Sequence, residues 1–446
     1  MKLSDQHIFK GYWWLPDNPN DKVAGILTYT PDDRILLELI GGFKDDNGHI
    51  KGIFDDRSKE IPLIYGIDSN AKEISLIDCR ENRSSYNLSS EFPIMCYSTR
   101  MVIYGKHIKR IDEICDYTAC IRFPELSHWA PPRAIEQVLY YDSEGKEINH
   151  SALNFPDLDS DKMTISLVPC ENGVQLFIKK AFSYNSGNLM LSPDIEQYSY
   201  VEITKSKKGM SIQEIFHELH KFRQFLSLAT KRQVRYESIY LHDPNIKQNC
   251  ENKSIYFPIY ILIEQRPAIN PPKIDRNRFL FRYEDVSSKL SNILVKWMSD
   301  SDNLQPIKNH LVDSIVYKPI VGSVDFLQVV QAIEGVWWRF KEDAYRSSLG
   351  RHKEGNTPLR TILTEIISSL SSIPTIKKSP IDIEAVIDSR HYYSHFMDKK
   401  ERPKTLDGME LYEQTTKLRL VLLSLVFEII GFTHHEIEVI LSQQDR

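Results

Sequence analysis

The spacing of apolar residues changes character along this chain of 446 residues, and that change limits what it can fold into. As far as about residue 205, short β-branched and aromatic runs are broken by Gly, Asp, Asn and Pro. They fall at residues 25–30, 35–40, 61–67, 73–77, 120–123, 174–181 and 198–204, the mark of a mainly antiparallel β region. Helical spacing first appears at Ile212, Ile215, Phe216, Leu219, Phe222, Phe225 and Leu226, opened by a capping box of Ser211 and Glu214. Strand-like sequence returns at 254–264, a Pro-rich connection follows at 267–273, and a second helical pattern covers 284–298. From Ser323 onward every segment reads as helix. The expected class is α+β, divided into a β-rich domain (1–205), a mixed helical and strand extension (206–318) and an all-α bundle (319–446).

The bundle can be followed helix by helix. Phe326, Val329, Val330, Ile333, Trp337 and Phe340 share one stripe. A second helix opens with Thr357 as N-cap and Pro358, burying Leu359, Ile362, Leu363, Ile366 and Leu370. A third repeats that opening with Ser379 and Pro380, carries Asp382 and Glu384 in its first turn, and runs to about residue 396. A fourth covers 411–430 and stops at Gly431; a short fifth starts at Thr433 with Glu436 three residues on.

Composition closes off several classes of function. A formal net charge of -5 rules out a chain coated with positive potential, and residues 319–446 hold 16 Lys or Arg against 18 Asp or Glu, so any RNA contact must be a local patch. Cys79, Cys96, Cys115, Cys120, Cys170 and Cys250 are scattered without zinc-type spacing, which suits a reduced, cytoplasmic chain. Residues 1–16 lack the apolar run of a signal peptide. The most apolar stretch, 418–432, contains Arg419 and Glu428 and falls short of the ~20 residues a membrane span needs. No cofactor and no membrane contact are expected.

The third bundle helix carries an anomaly. The stripe Ile383, Val386, Ile387 continues at helical spacing to Arg390, and a guanidinium on an apolar face needs a charged partner or a polar cleft. Five residues on stands His395. Arg and His are the side chains that metal-free RNA cleavage requires. An imidazole near neutrality takes the ribose 2′-OH proton, and a fixed cation stabilises charge on the phosphate, leaving a 2′,3′-cyclic phosphate. Positions 390 and 395 lie roughly 140° apart on a helix, so either the helix ends near His395 or a second subunit completes the site. A symmetric homodimer packed on this helix brings two Arg–His pairs together, one His as base and another as acid.

An R-x4-H motif with a polar residue, here His391, after the arginine, near the end of the third helix of a small bundle, resembles the HEPN superfamily. The N-terminal runs Phe9 to Pro16, Val23 to Leu27 and Leu36 to Phe43, with Phe225 to Thr230 later, resemble ApeA-type anti-phage proteins. The resemblance implies an abortive-infection endoribonuclease that cleaves cellular RNA, tRNA being a candidate, when phage infection is sensed, with the N-terminal region either sensing a phage-derived trigger or restraining the bundle until it arrives. It makes Arg390 and His395 catalytic, with His391 in the family's polar slot. Glu334 is the expected carboxylate orienting Arg390. Lys399, Lys400, Arg402 and Lys404 form a basic loop beside the pair that can hold RNA backbone, and Tyr392 and Tyr393 can stack on bases.

Each of these has a plainer counterpart. Arg390 can pair with a bundle carboxylate while His395 caps a helix end, Glu334 can be a solvated helix charge, the lysines can be a solvated loop, and the tyrosines can be packing. On that view the bundle is a non-catalytic dimerisation or ligand-binding module. His391 and His395 are also spaced to share a metal, but Tyr392 follows where a metalloprotease needs Glu and no third ligand is evident, so no metal site is expected. The pairs Trp13–Trp14 and Trp337–Trp338 can serve as ligand platforms, but aromatics at strand and helix positions are mostly core; Trp337 reads as core, Trp338 stays open, and His434 and His435 fall in the first turn of the last helix.

Overall fold

The structure, a computed structural model, describes residues 1–44, 60–82, 93–141, 148–157, 160–185, 194–205, 209–250, 253–267, 269, 273–299, 301–317, 322–348 and 357–443. Two compact units emerge: Met1–Leu219 with Arg235–Pro272, and His220–Val234 with Lys273–Arg446. The domain boundaries expected after 205 and after 318 fall outside the described residues, as do parts of the 267–273 connection and the Cys250 side chain.

The first unit is built on β1 (His7–Trp14), β2 (Val23–Tyr29), β3 (Ile35–Ile40), β4 (Glu60–Asp68), β5 (Glu73–Glu81), β6 (Ile94–Thr99), β7 (Met101–Tyr104) and β8 (Thr118–Arg122). A short helix α1 (Pro124–Trp129) precedes β9 (Glu136–Tyr141), β10 (Ile148–Asn154), β11 (Thr164–Pro169), β12 (Val174–Asn185) and β13 (Asp194–Lys205). After helix α2 (Ile212–Thr230) come β14 (Ser238–Cys250) and β15 (Lys253–Ile263). Strands β9 and β10 pair separately; the other thirteen form one sheet in the order β11-β12-β13-β8-β14-β15-β7-β5-β4-β1-β2-β3-β6. An additional β5–β6 pairing, Arg80 opposite Ser98 and Glu81 opposite Tyr97, closes β5, β4, β1, β2, β3 and β6 into a ring. Strand β5 meets β7 through Ile74–Ile77 before it turns to β6, and Asp78 makes that switch with a left-handed φ of 52°.

Alternation explains the closure. Leu27 and Tyr29 on β2, and Ile35, Leu37 and Leu39 on β3, are fully or almost fully buried, while their neighbours in sequence are more exposed. Trp13 is fully buried, and opposite it on β4 stands Gly66, where a Cβ would lie 2.3 Å from the indole. The glycine is there because the indole takes its side-chain space.

The second unit takes in α2 from His220 onward, then α3 (Tyr283–Val286), α4 (Leu290–Met298), α5 (Ser301–Val316) and α6 (Ser323–Val336). After α6 the chain makes a π turn at Trp337–Lys341. It continues through α7 (Glu342–Ser348), α8 (Leu359–Ser369), α9 (Pro374–Lys378), α10 (Ile383–His395), α11 (Gly408–Ile430) and α12 (His434–Ser442). Helix α11 is the most buried, with Leu418, Val421, Leu422, Leu425, Val426 and Phe427 packed inside. Phe225, Trp297, Phe281, Phe427 and Phe432 form a chain of ring contacts 4.7–5.8 Å apart. The protein is thus an antiparallel β region followed by a helical bundle.

Several local readings shift. Helix α10 starts at Ile383, later than expected, because the Asp382 carboxylate accepts the Ala385 N–H at 3.0 Å and takes the capping role; Asp382 is the cap, not a first-turn residue. Pro358 is the N-cap of α8, one residue inside the expected Thr357. Helix α5 had no counterpart in the sequence reading, its pattern being interrupted by Pro306. Phe340, expected on the α6 stripe, is only half-buried, since the π turn adds a residue and rotates the side chains beyond it.

Placing a methyl at Gly66 should force the Trp13 indole out of its packed position and destabilise the first unit by about 1–3 kcal/mol. Denaturant unfolding of the Gly66→Ala chain, compared with the unaltered one, checks this.

Candidate active site

Helix α10 packs against α6 and α8, and the face it buries is Ala385, Val386 and Ser389. Ile383, Ile387 and Arg390 lie at the border of that face, half-buried, so the arginine is not inside the core. Its Nη2 donates to Glu334 Oε2 on α6 at 3.0 Å, in an ion pair whose side chains are 22% and 19% exposed. At that exposure the pair is screened less than a surface bridge, and its geometry fixes the guanidinium. Nη1 reaches Ser394 Oγ at 3.4 Å, one turn on, and the Ser394 hydroxyl donates to the Arg390 carbonyl. With one bond from each terminal nitrogen, the fork keeps further N–H donors for an oxyanion.

The helix stops directly after the motif. Phe396 adopts a left-handed conformation, φ 52° and ψ 39°, so His395 is the last helical residue and is exposed at the helix end. His391 lies one turn before it, half-buried, with ring centroids 5.8 Å apart and planes tilted by 32°. Burial, then the positive charge of Arg402, His395 and Arg390, hold His391 below the ordinary histidine pKa; Asp388 opposes them.

Beyond the helix, the loop at 396–407 folds back on α10. Ser389 Oγ accepts the Leu406 N–H at 2.9 Å, Asp388 accepts the Lys404 N–H at 3.1 Å, and the Tyr393 hydroxyl donates to the Leu406 carbonyl at 2.9 Å. Arg402 stands 3.6 Å from the Asp388 carboxylate. Of the four basic residues singled out in this loop, Lys399, Lys400 and Lys404 are exposed and Arg402 is half-buried against Asp388. Tyr393 is committed to the loop and lies edge-on to Phe326 at 6.4 Å, while Tyr392 contacts it edge-on at 4.9 Å.

The structure therefore brings Glu334, Arg390, His391 and His395 to the end of one helix. Ser394 and Asp388 were not singled out by sequence reasoning; the i, i+4 spacing of Ser394 from Arg390 was the available signal. Trp13, Trp14 and Trp337 are buried and Trp338 is 36% exposed, the only one of the four able to meet a ligand from solvent. His434 opens α12, with Nδ1 2.6 Å from Ser372 Oγ. Among the described residues no group of three or more His, Cys, Asp or Glu could hold a metal ion, and no helix is long and apolar enough to cross a membrane.

Removing the Glu334 carboxylate leaves a half-buried guanidinium without its counter-charge. Glu334→Ala should lower stability by about 1–3 kcal/mol, and Glu334→Gln, which keeps an acceptor oxygen, by less. Denaturant unfolding of both variants distinguishes a positioning pair from an idle surface bridge.

Two family models match the chain. ApeA N-terminal domain 1 matches residues 8–297, and Apea-like HEPN matches residues 327–436, which include Glu334, Arg390 and His395. No curated protein and no solved structure matches it. The first match spans well over half of the 446 residues. The chain belongs to the ApeA-type family, with an ApeA N-terminal domain followed by an Apea-like HEPN domain.

Proposed function

We propose that this protein is a metal-independent endoribonuclease of anti-phage defence, acting in the cytoplasm through a catalytic HEPN bundle at residues 319–446. The observation that carries the reading is the Arg390 guanidinium, fixed by Glu334 at 3.0 Å, on the same last turns of α10 as the imidazoles of His391 and His395. HEPN domains are generally ribonucleases and commonly dimerise, and the match to residues 327–436 supports both properties here.

In this mechanism the 2′-oxygen attacks the adjacent phosphorus as an imidazole accepts its proton. Arg390 stabilises the charge on the non-bridging oxygens, and the 5′-oxygen departs with a proton supplied by the site. The products are a 2′,3′-cyclic phosphate and a 5′-hydroxyl. His395 is a proton-transfer residue, Glu334 positions Arg390, and Lys399, Lys400 and Lys404 hold the RNA backbone. Arg402 supports that loop from Asp388, and Tyr392 lies next to the bound strand. The substrate is cellular RNA, with tRNA as the first candidate. The bundle acts as a homodimer, and the N-terminal region answers a phage-derived trigger.

One observation also fits a non-catalytic dimerisation or ligand-binding module: Arg390 is already paired, as a purely structural arginine would be. Arg390→Lys separates the readings, because it keeps the charge and loses the planar fork. For the nuclease, growth arrest and the appearance of RNA fragments in phage-infected cells should fall about 10²- to 10³-fold with Arg390→Lys and 10²- to 10⁴-fold with His395→Ala. Equal protection by both variants and the unaltered protein, with no RNA cut, would favour the binding module.

A further inference from the structure

Two imidazoles, not one, stand at the end of α10, and the proposed reaction needs two proton transfers. We propose that His391 and His395 of one protomer form the acid–base pair of the site, His391 accepting the 2′-OH proton and His395 donating to the 5′-oxygen. This rests on the ribonuclease reading and departs from a site whose acid and base come from different subunits.

The placement of the rings fits the task. In an in-line displacement the attacking and leaving oxygens stand on opposite sides of the phosphorus, so two proton-transfer groups must reach the two sides of one phosphate. Imidazoles with centroids 5.8 Å apart can flank them, each across a hydrogen bond of about 2.8 Å. Both lie on one side of the helix end, four residues apart, and the Arg390 guanidinium that would hold the non-bridging oxygens is close enough to His391 to act on its charge. The bookkeeping closes without another reactant: the O2′–P bond forms, the P–O5′ bond breaks, His391 gains one proton and His395 loses one. Exchange with water restores both.

The surroundings of the two rings differ in the sense the roles require. His391 is half-buried and faces Arg390, His395 and Asp388 on its own helix and Arg402 from the 396–407 loop; Glu334 of α6 reaches this cluster through Arg390. Burial and three cationic neighbours keep His391 unprotonated at a lower pH than a free histidine, which suits a base. His395 is exposed at the helix end, able to exchange protons with solvent. Arg402 thereby acquires a positioning role: paired with Asp388, it keeps a positive charge next to His391 and offsets the carboxylate.

The test is the pH dependence of kcat for cleavage of bulk tRNA by the full-length protein in the presence of chelator. Variants are His391→Asn, His391→Gln, Arg402→Gln and His395→Ala, each checked for folding by its thermal midpoint. A base must be unprotonated, so activity falls as pH drops through its pKa. Both His391 variants should lose about 10²-fold or more and flatten that acidic limb. In Arg402→Gln the limb should move to higher pH, because His391 loses a cation and gains a freed Asp388; a merely structural Arg402 would lower kcat without moving it. Full kcat and an unchanged limb in the His391 variants, with His395→Ala inactive, would overturn the pair and leave the ribonuclease standing. No cleavage by the unaltered protein would instead remove the ribonuclease reading, and this inference with it.

Discussion

The ion pair between Arg390 on α10 and Glu334 on α6 is the contact on which the site depends. It joins two helices that the bundle packs together, and it turns an arginine at the edge of an apolar face into an oriented donor with N–H groups to spare. The surrounding features preserve that orientation. Ser394 supports the guanidinium from one turn along. The chain leaves the helix at Phe396, so that His395 stands at an open end. A charged group at such a border is more demanding than an apolar one, since it must be paired and yet able to meet an anion.

The β unit solves a different problem. A sheet of the thirteen described strands would leave two exposed edges, β11 and β6, and the β5–β6 pairing removes the one at β6 by closing six strands into a ring. That closure requires β5 to change partner at Asp78, in a left-handed conformation, and requires Trp13 to find a neighbour without a side chain at Gly66. The strands at the other end, from β11 to β13, continue as an open antiparallel sheet.

How much of this was legible in the sequence depends on the range of the interaction responsible. The capping boxes of Ser211 with Glu214 and Thr433 with Glu436 stand where their spacing put them, because a cap is decided within four residues. The end of α11 at Gly431, φ 105°, is equally local. At Ser379–Pro380 two local signals competed with Asp382, and the side chain able to reach a free N–H prevailed. Ring closure of the barrel was not legible, since Arg80 and Ser98 meet across a stretch of chain whose length says nothing of register. In the candidate site, Arg390 was conspicuous as a charge on an apolar stripe, and Glu334 was singled out 56 residues away. The anchoring of the 396–407 loop by Asp388 and Ser389 had no short-range signature, and it is what separates Arg402 from the exposed lysines.

Chemistry at the cut RNA end tests the central claim most directly. Purified protein incubated with tRNA in excess chelator should yield fragments whose 3′ ends are 2′,3′-cyclic phosphates, resistant to a phosphomonoesterase until opened by acid, and whose 5′ ends are hydroxyls. Fragments ending in 3′-hydroxyl with 5′-phosphate, or cleavage abolished by chelator, would mean that water or a metal-bound nucleophile attacks instead, and the metal-free Arg390–His395 site would be the wrong description.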